Sequence, residues 1–361
     1  MKKATPTINL LLIYPYPTGE APSQRFRFEQ YLDDLEKQHF QITHAAFMSP
    51  GTWRILYKSG NYVKKITGIL WGFVKRWWLM LRLRKFDFIF IHREAAPVGY
   101  PLFEWIIAKV WRKKIIYDFD DAIWLANTSA QNTLVAKIKF HQKTVLICKW
   151  AYKVSVGNEY LGDYARQFND QVIYNPTTID TVHLHNQIKT QTNDKIVIGW
   201  TGSHSTLRYL DFLEPILQKL EKDFTFEFQV IANQAPELNL KSLVFKPWNK
   251  ATEIQDLLAF NIGVMPLTDD KWAKGKCGFK ALQYMALGIP PLVSPIGVNT
   301  RIVQHQENGF VCNTAEEWYQ ALVQLIKSET LRTELGKKAR QAVENSFSVT
   351  SNQNNFRVLF S

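Results

Sequence analysis

Short apolar runs recur along this chain, and stretches with helical spacing lie between them. The runs at residues 8–14, 42–47, 88–91, 115–117, 153–156 and 172–174 read as six strands of a first half. Those at residues 196–200, 226–231, 243–245, 262–266, 291–293 and 309–311 read as six strands of a second half. Runs of this length, apolar at successive positions and bounded by polar turns, suit strands buried on both faces. Residues 24–37, 100–111 and 205–222 carry apolar positions at helical spacing and read as helices. Strand and helix in alternation predict a parallel sheet covered on both faces, and two such sets predict two doubly wound α/β domains. The polar, aperiodic stretch at residues 176–194 reads as the linker. Ligands in open α/β sheets sit beyond the carboxyl ends of the strands. Two such domains facing a central cleft would therefore place the site in that cleft.

One segment breaks the pattern. Residues 61–85 carry Lys64, Lys65, Lys75, Arg76, Arg82, Arg84 and Lys85 among Ile66, Leu70, Trp71, Phe73, Trp77, Trp78 and Leu81. A basic amphipathic helix with tryptophans suits an anionic membrane surface. The plainer alternative is a domain helix with core aromatics and solvated lysines. The whole chain of 361 residues carries a formal charge of +12, which also points to an anionic partner. Nucleic acid is not expected, because no nucleic-acid-binding module accompanies the charge. Three scattered cysteines, Cys148, Cys277 and Cys312, have no metal-like spacing and read as reduced thiols in a cytoplasmic chain. The apolar run near the N-terminus is too short for a signal peptide and reads as a first strand. With no uncharged apolar stretch of about 18 residues, no transmembrane helix is expected.

The densest chemical signal is KGKCGFKALQYMALGIP, residues 274–290. Gly275 and Gly278 permit a tight turn, and Lys274, Lys276 and Lys280 crowd positive charge there. Phe279, Leu282, Met285 and Ala286 then mark one apolar helical face, ended by Gly288 and Pro290. A basic loop at a helix N-terminus favours a phosphate-bearing ligand.

These residues resemble the donor motif of retaining GT-B glycosyltransferases of family 4. Met285, Ala286, Gly288 and Pro290 match its Ala-Met-Ala and Gly-Pro elements. Lys280 and Tyr284 fit a Lys-rich branch. Gln283 stands where the motif has the glutamate that holds the nucleotide ribose, and Gly275 where it has the first glutamate. The resemblance extends over nearly the whole chain. It implies a GT-B fold with an acceptor domain at residues 1–180 and a donor domain at residues 190–345. It also implies a last helix, within 346–361, that returns to the first domain. The implied reaction moves a sugar from a nucleotide-diphosphate donor to a saccharide or lipid-linked acceptor, in surface polysaccharide or glycolipid synthesis. It needs no metal or cofactor beyond the donor. The enzyme would be cytoplasmic and peripheral on the inner face of the cell membrane.

Four further places carry chemistry. The turn Gly202, Ser203, His204, Ser205 follows a strand and opens a helix, which suits a diphosphate or, more plainly, an N-cap by Ser203 or Ser205. Arg25 stands at a helix start after the loop of Gly19, where a cation opposes the dipole unless an anion joins it; Arg27 is a weaker candidate. Asp118, Asp120 and Asp121 crowd three carboxylates at a strand end, which is costly without a compensating partner or role. The resemblance places Asp120 at the reacting sugar, whereas an ordinary reading makes Asp121 a helix cap. His92 or Glu94, beside Arg93 at another strand end, is a candidate for contact with the acceptor, the plainer alternative being that Arg93 and Glu94 simply pair. Two competing readings remain, a nucleotide-sugar epimerase or hydrolase on this fold and a non-catalytic GT-B binding subunit. The second is motivated by Gln283 and Gly275.

Overall fold

A computed structural model describes residues 7–361 apart from 57, 59, 126–139 and 141. The chain divides into two compact units, residues 1–176 with 353–361, and residues 177–352.

The first unit is built on a six-stranded, all-parallel sheet in the order β2-β1-β3-β4-β5-β6. The strands are β1 (Ile8–Tyr14), β2 (Phe40–Ala46), β3 (Phe88–His92), β4 (Lys114–Phe119), β5 (Lys153–Val156) and β6 (Val172–Tyr174). Leu10 to Tyr14 and Ile89 to Ile91 are wholly buried, which is why these runs are apolar at successive positions. Strand order reverses between β1 and β3, so their carboxyl ends frame this unit's ligand-binding crevice. The helices used below are α1 (Leu32–Lys37), α2 (Tyr62–Met80) and α3 (Lys143–Trp150). The segment from Gln353 to Ser361 belongs to this unit. Phe356 stacks on Tyr31 at 4.4 Å, Arg357 pairs with Asp34 of α1 at 2.6 Å, and Phe360 sets its edge against Phe40 and Phe88.

The second unit repeats the plan in the order β12-β11-β10-β7-β8-β9, again all parallel. Its strands are β7 (Val197–Thr201), β8 (Glu227–Ala232), β9 (Leu243–Pro247), β10 (Ile262–Met265), β11 (Pro291–Val293) and β12 (Phe310–Val311). Here the order reverses between β7 and β10. Relevant helices are α4 (Glu253–Leu258), α5 (Phe279–Ala286), α6 (Ala315–Lys327) and α7 (Glu329–Ala342). Trp200, Trp318, Leu322 and Phe228 pack in one core layer, and Tyr284, Phe260 and Leu287 in another.

The helical stretches are more broken than their periodicity predicts. Residues 24–37 form Pro22–Arg25, a short 3-10 turn Glu29–Tyr31, and then α1. The break falls where Phe26, Arg27 and Phe28 are all buried, a demand that one face of a helix cannot meet. Residues 100–111 form an α turn, Leu102–Trp105, that widens into a π turn, Ile106–Val110. Residues 205–222 begin as a 3-10 helix, His204–Phe212, and become α-helical only at Glu214–Leu220, where Pro215 fits the first turn.

Candidate donor and catalytic sites

In the second unit the start of α5 and the turn after β7 come together through Trp200. The Lys280 ammonium lies 5.3 Å over the Trp200 ring, and a Cβ on Gly202 would come within 2.4 Å of that ring. Tyr284 adds a second tie, accepting from the Thr201 N–H at 3.1 Å and donating to the Val264 carbonyl at 3.4 Å. Burial raises the Tyr284 pKa, so its hydroxyl keeps its proton. α5 is therefore braced against the carboxyl ends of both β7 and β10.

Gly278 opens α5 in the left-handed region at φ +70, with space for its missing side chain taken by Ile302 Cδ1 at 2.2 Å. Gly275 has an ordinary φ of −74, so the turn depends on Gly278 rather than on both glycines. The lysines separate in role. Lys274 pairs with Asp269 at 2.8 Å, Lys276 lies 5.0 Å over the Trp272 ring, and Lys280 is the one set over Trp200. The expected single apolar face is not what forms. Ala281 to Ala286 are all buried, because α5 is enclosed by the sheet on one side and α7 on the other. Gly336 of α7 makes that approach possible, since a Cβ there would lie 2.0 Å from the Gly288 carbonyl.

Gln283 is 2% exposed and its amide donates to Glu253 of α4 at 3.4 Å. A carboxylate thus stands beside the position where the motif has its own glutamate. In the turn after β7, the Thr206 hydroxyl bonds to the Ser203 carbonyl at 3.0 Å and faces the Ser203 N–H at 3.3 Å. Ser203 and Ser205 hydroxyls meet at 2.9 Å, and His204 is held by Asn233 through its N–H at 2.8 Å and its ring at 3.0 Å.

In the first unit the three crowded carboxylates each have a partner. Asp118 is buried with Arg27, whose Nε lies 3.4 Å from Oδ2 and whose Nη2 pairs with Oδ1. The His92 ring bonds to Asp118 at 2.8 Å, and the Ser155 hydroxyl donates to it at 2.6 Å. Burial alone would raise the Asp118 pKa, but Arg27 and His92 outweigh it and hold the carboxyl well below its usual range. Asp120 and Asp121 both bind Arg93, at 2.7 and 2.9 Å. Burial would lower the Arg93 pKa, and these two charges instead raise it, so the guanidinium stays charged. Arg93 holds this position with a left-handed backbone, φ +61, fixed by its N–H to the Asp118 carbonyl and its carbonyl to the Tyr117 hydroxyl. Glu94 pairs not with Arg93 but with Lys143 of α3, at 2.6 Å.

His92 is wholly buried between Asp118 and the Phe28 ring. It braces the aspartate network from inside, and the half-buried end of that network is Asp120 and Asp121. Arg25 is half-buried, with its guanidinium 5.0 Å over the Phe26 ring. The loop before it is locked by Gln24, which joins Tyr16 on both backbone atoms, while the Gly19 N–H donates to Glu29 at 2.8 Å. The residues after Asp121, 122–125, form a turn rather than a helix, so Asp121 caps no helix there. Among the described residues no group of three or more His, Cys, Asp or Glu is placed to hold a metal ion, and the three cysteines are free and buried.

Sequence reasoning missed Glu253 and Arg340, and gave Arg93 the partner Glu94 in place of Asp120 and Asp121. Arg340 of α7 donates to the carbonyls of Ala286, His185 and Thr181, closing the carboxyl end of α5. Its only sequence signal was a basic residue in a helix C-terminal turn.

Two parallel six-stranded Rossmann-like units, with a basic helix start at the second unit's crevice, define the GT-B glycosyltransferase fold. The comparisons agree. Residues 195–328 match the family Glycosyl transferases group 1. N-acetyl-alpha-D-glucosaminyl L-malate synthase of Bacillus anthracis is 27% identical over 123 residues, which span 34% of this chain and 31% of that enzyme. Among solved structures, sucrose-phosphate synthase from Thermosynechococcus elongatus superposes with a TM-score of 0.67 at 13% identity, covering 98% of both chains. Anabaena HepE in complex with UDP and glucose gives 0.63 at 15% identity, covering 98% of this chain and 99% of that one. The fold of the chain is thus that of GT-B glycosyltransferases, and the match to the group 1 family lies within its second unit.

Proposed function

We propose that this protein is a retaining glycosyltransferase that uses a nucleotide-diphosphate sugar. The observation that carries the reading is the basic start of α5, braced by Trp200 and Tyr284 against the carboxyl ends of β7 and β10. The positive end of the α5 dipole and the Lys280 ammonium suit a diphosphate leaving group, whose charge grows as the sugar–oxygen bond breaks. Gln283 and Glu253 together offer a donor and an acceptor to a ribose diol. Asp120, oriented by Arg93, is assigned the positive charge that develops at the sugar carbon. HepE was solved with UDP-glucose, so uridine is the first base to test.

The acceptor is read as a lipid-linked saccharide at an anionic membrane. Among the described residues no helix is long and apolar enough to cross a membrane. On α2 and the turn after it, however, Val63, Ile66, Leu70, Trp71, Trp78 and Leu81 are 58–74% exposed. Their spacing is that of one helical stripe, and residues 61–85 hold seven cations and no carboxylate. An apolar stripe with basic flanks suits the interface of an anionic bilayer.

The test is a thermal-shift screen with UDP, GDP, ADP and their glucose conjugates, followed by turnover of the stabilising donor. Stabilisation by one diphosphate and its sugar is expected. Asp120→Asn is expected to cut turnover far more than donor affinity. Binding without turnover on any acceptor would favour a non-catalytic subunit, and no stabilisation at all would sink the reading.

A further inference from the structure

A cavity of about 820 Å³ opens in the first unit at the carboxyl ends of β1 and β2, apart from the aspartate network. Trp71, Trp78 and Leu79 of α2 form one wall, and Met48 and Pro50 form the opposite one. Its polar floor is a hydrogen-bonded cluster in which the Tyr14 hydroxyl meets Thr18 at 2.7 Å and the His44 ring at 2.9 Å. Lys75, Arg76 and Arg82 line it, and no lining residue is a carboxylate. Arg76 is 1% exposed and spends its hydrogen bonds on the carbonyls of Ala95 at 2.7 Å and Tyr14 at 3.2 Å. Lys75 reaches the Ala46 carbonyl at 3.1 Å. Burial pushes the Arg76 pKa down to about 10, with the charge of buried Glu104 opposing the shift. The cavity thus presents buried Arg76, half-buried Lys75 and exposed Arg82 beside apolar walls with no carboxylate among its lining, a set that suits an anion.

The cavity also continues into the exposed stripe, because Trp71, Val74 and Trp78 belong to both. A chain-like ligand lying along the stripe meets apolar surface all the way to the cations. A free sugar or inorganic phosphate would use only one of these two features.

We propose that this cavity seats the lipid anchor of the acceptor, with the anchor's phosphate at Lys75 and Arg82 and its hydrocarbon against Trp71 and Trp78. This rests on the reading of the protein as a transferase acting at a membrane and names the chemical class of its acceptor: a phosphate-bearing amphiphile. It adds to membrane docking, since the stripe meets bulk lipid while the cavity selects one molecule.

The probe is dodecyl phosphate below its micelle concentration, with dodecanol and inorganic phosphate as controls, titrated calorimetrically into the full chain. Dodecyl phosphate is expected to bind at least about tenfold tighter than either control, a difference of roughly 1.4 kcal/mol. Lys75→Gln with Arg82→Gln is expected to remove that preference for the phosphate. Met48→Trp should fill the cavity and block the probe while binding to anionic vesicles persists; Ala45→Leu serves where Met48→Trp does not fold. Equal binding of dodecanol and dodecyl phosphate, or undiminished binding to the filled variants, would overturn the proposal. Stabilisation by UDP-sugars, measured on the same preparation, reports on the donor reading separately. A protein that responds to UDP-sugars but ignores dodecyl phosphate loses the lipid anchor and keeps its donor site.

Discussion

Deleting the charge of Arg27 tests whether the first unit's aspartate network holds its crevice together. Arg27 is 1% exposed and bonds to Asp118, to the Asn175 carbonyl and to Ser155 at 3.3 Å. It thereby joins the segment after β1 to β4, β5 and the end of β6. Arg27→Met keeps the aliphatic volume and leaves Asp118 with only His92 and Ser155. Breaking one side of a buried ion pair costs about 3–5 kcal/mol, because the other charge stays buried. For a unit of this size about 2–4 °C is lost per kcal/mol, so the melting temperature should fall by roughly 6–20 °C.

The pH dependence sharpens the test. The Asp118 pKa is depressed in the fold, so its stabilisation is present above the unfolded carboxylate value, near about 3.9, and is lost as pH falls through the folded value. Wild type should hold this contribution in full above about pH 4 and lose it progressively as pH falls below that. In Arg27→Met the burial penalty is no longer outweighed, so the variant should gain relative stability as pH drops, and the gap between the two should narrow toward pH 4. Melting followed by circular dichroism at intervals from pH 4.5 to 7.5 measures this. Arg27→Met with Asp118→Leu removes both charges and should recover most of the loss. A single variant within about 1 kcal/mol of wild type, or a double variant as unstable as the single, would refute the reasoning.

Three further outcomes are expected. Lys280→Ala should weaken donor binding at least about tenfold, roughly 1.4 kcal/mol, without changing the melting temperature of the unliganded protein, as read by calorimetry with the stabilising UDP-sugar. Gln283→Glu sets a second carboxylate where the amide now donates to Glu253 at 3.4 Å, so it should weaken donor binding despite restoring the motif, and adding Glu253→Gln should recover it. Gly278→Ala should cost about 1–3 kcal/mol, since the position combines φ +70 with an Ile302 methyl 2.2 Å from the new Cβ; chemical denaturation measures it.

The strands were legible in the sequence because parallel strands under two helical layers are apolar at successive positions. Residues 8–14, 153–156, 172–174 and 291–293 stand as read, and residue 42 proves to lie inside a strand that begins at Phe40. The long helices were less legible. Periodicity does not show that Phe26, Arg27 and Phe28 must all be buried, and it does not show that Ile106 begins a widened turn. The start of α5 was readable because its signals, Gly278 and Lys280, are local. Its supports were not, because they come from far along the chain: Glu253 lies 30 residues from Gln283, and Arg340 lies 54 residues from the carbonyl it closes.

The three aspartates show what kind of information sequence lacks. Asp118, Asp120 and Asp121 lie close enough in the chain to signal mutual repulsion, and that repulsion asks for a cation. The sequence offers 44 lysines and arginines and no way to choose among them. The fold chooses two. Arg27, 91 residues away, is drawn into the core beneath Asp118, and Arg93 bridges Asp120 and Asp121 from a strained strand end. The end of β4 sets this division, because Asp118 lies inside the strand and is wholly buried, whereas the next two carboxylates fall beyond its last residue, Phe119. One aspartate is thereby committed to holding the crevice in shape. The other two are held beyond the strand end on a charged arginine, outside the buried network.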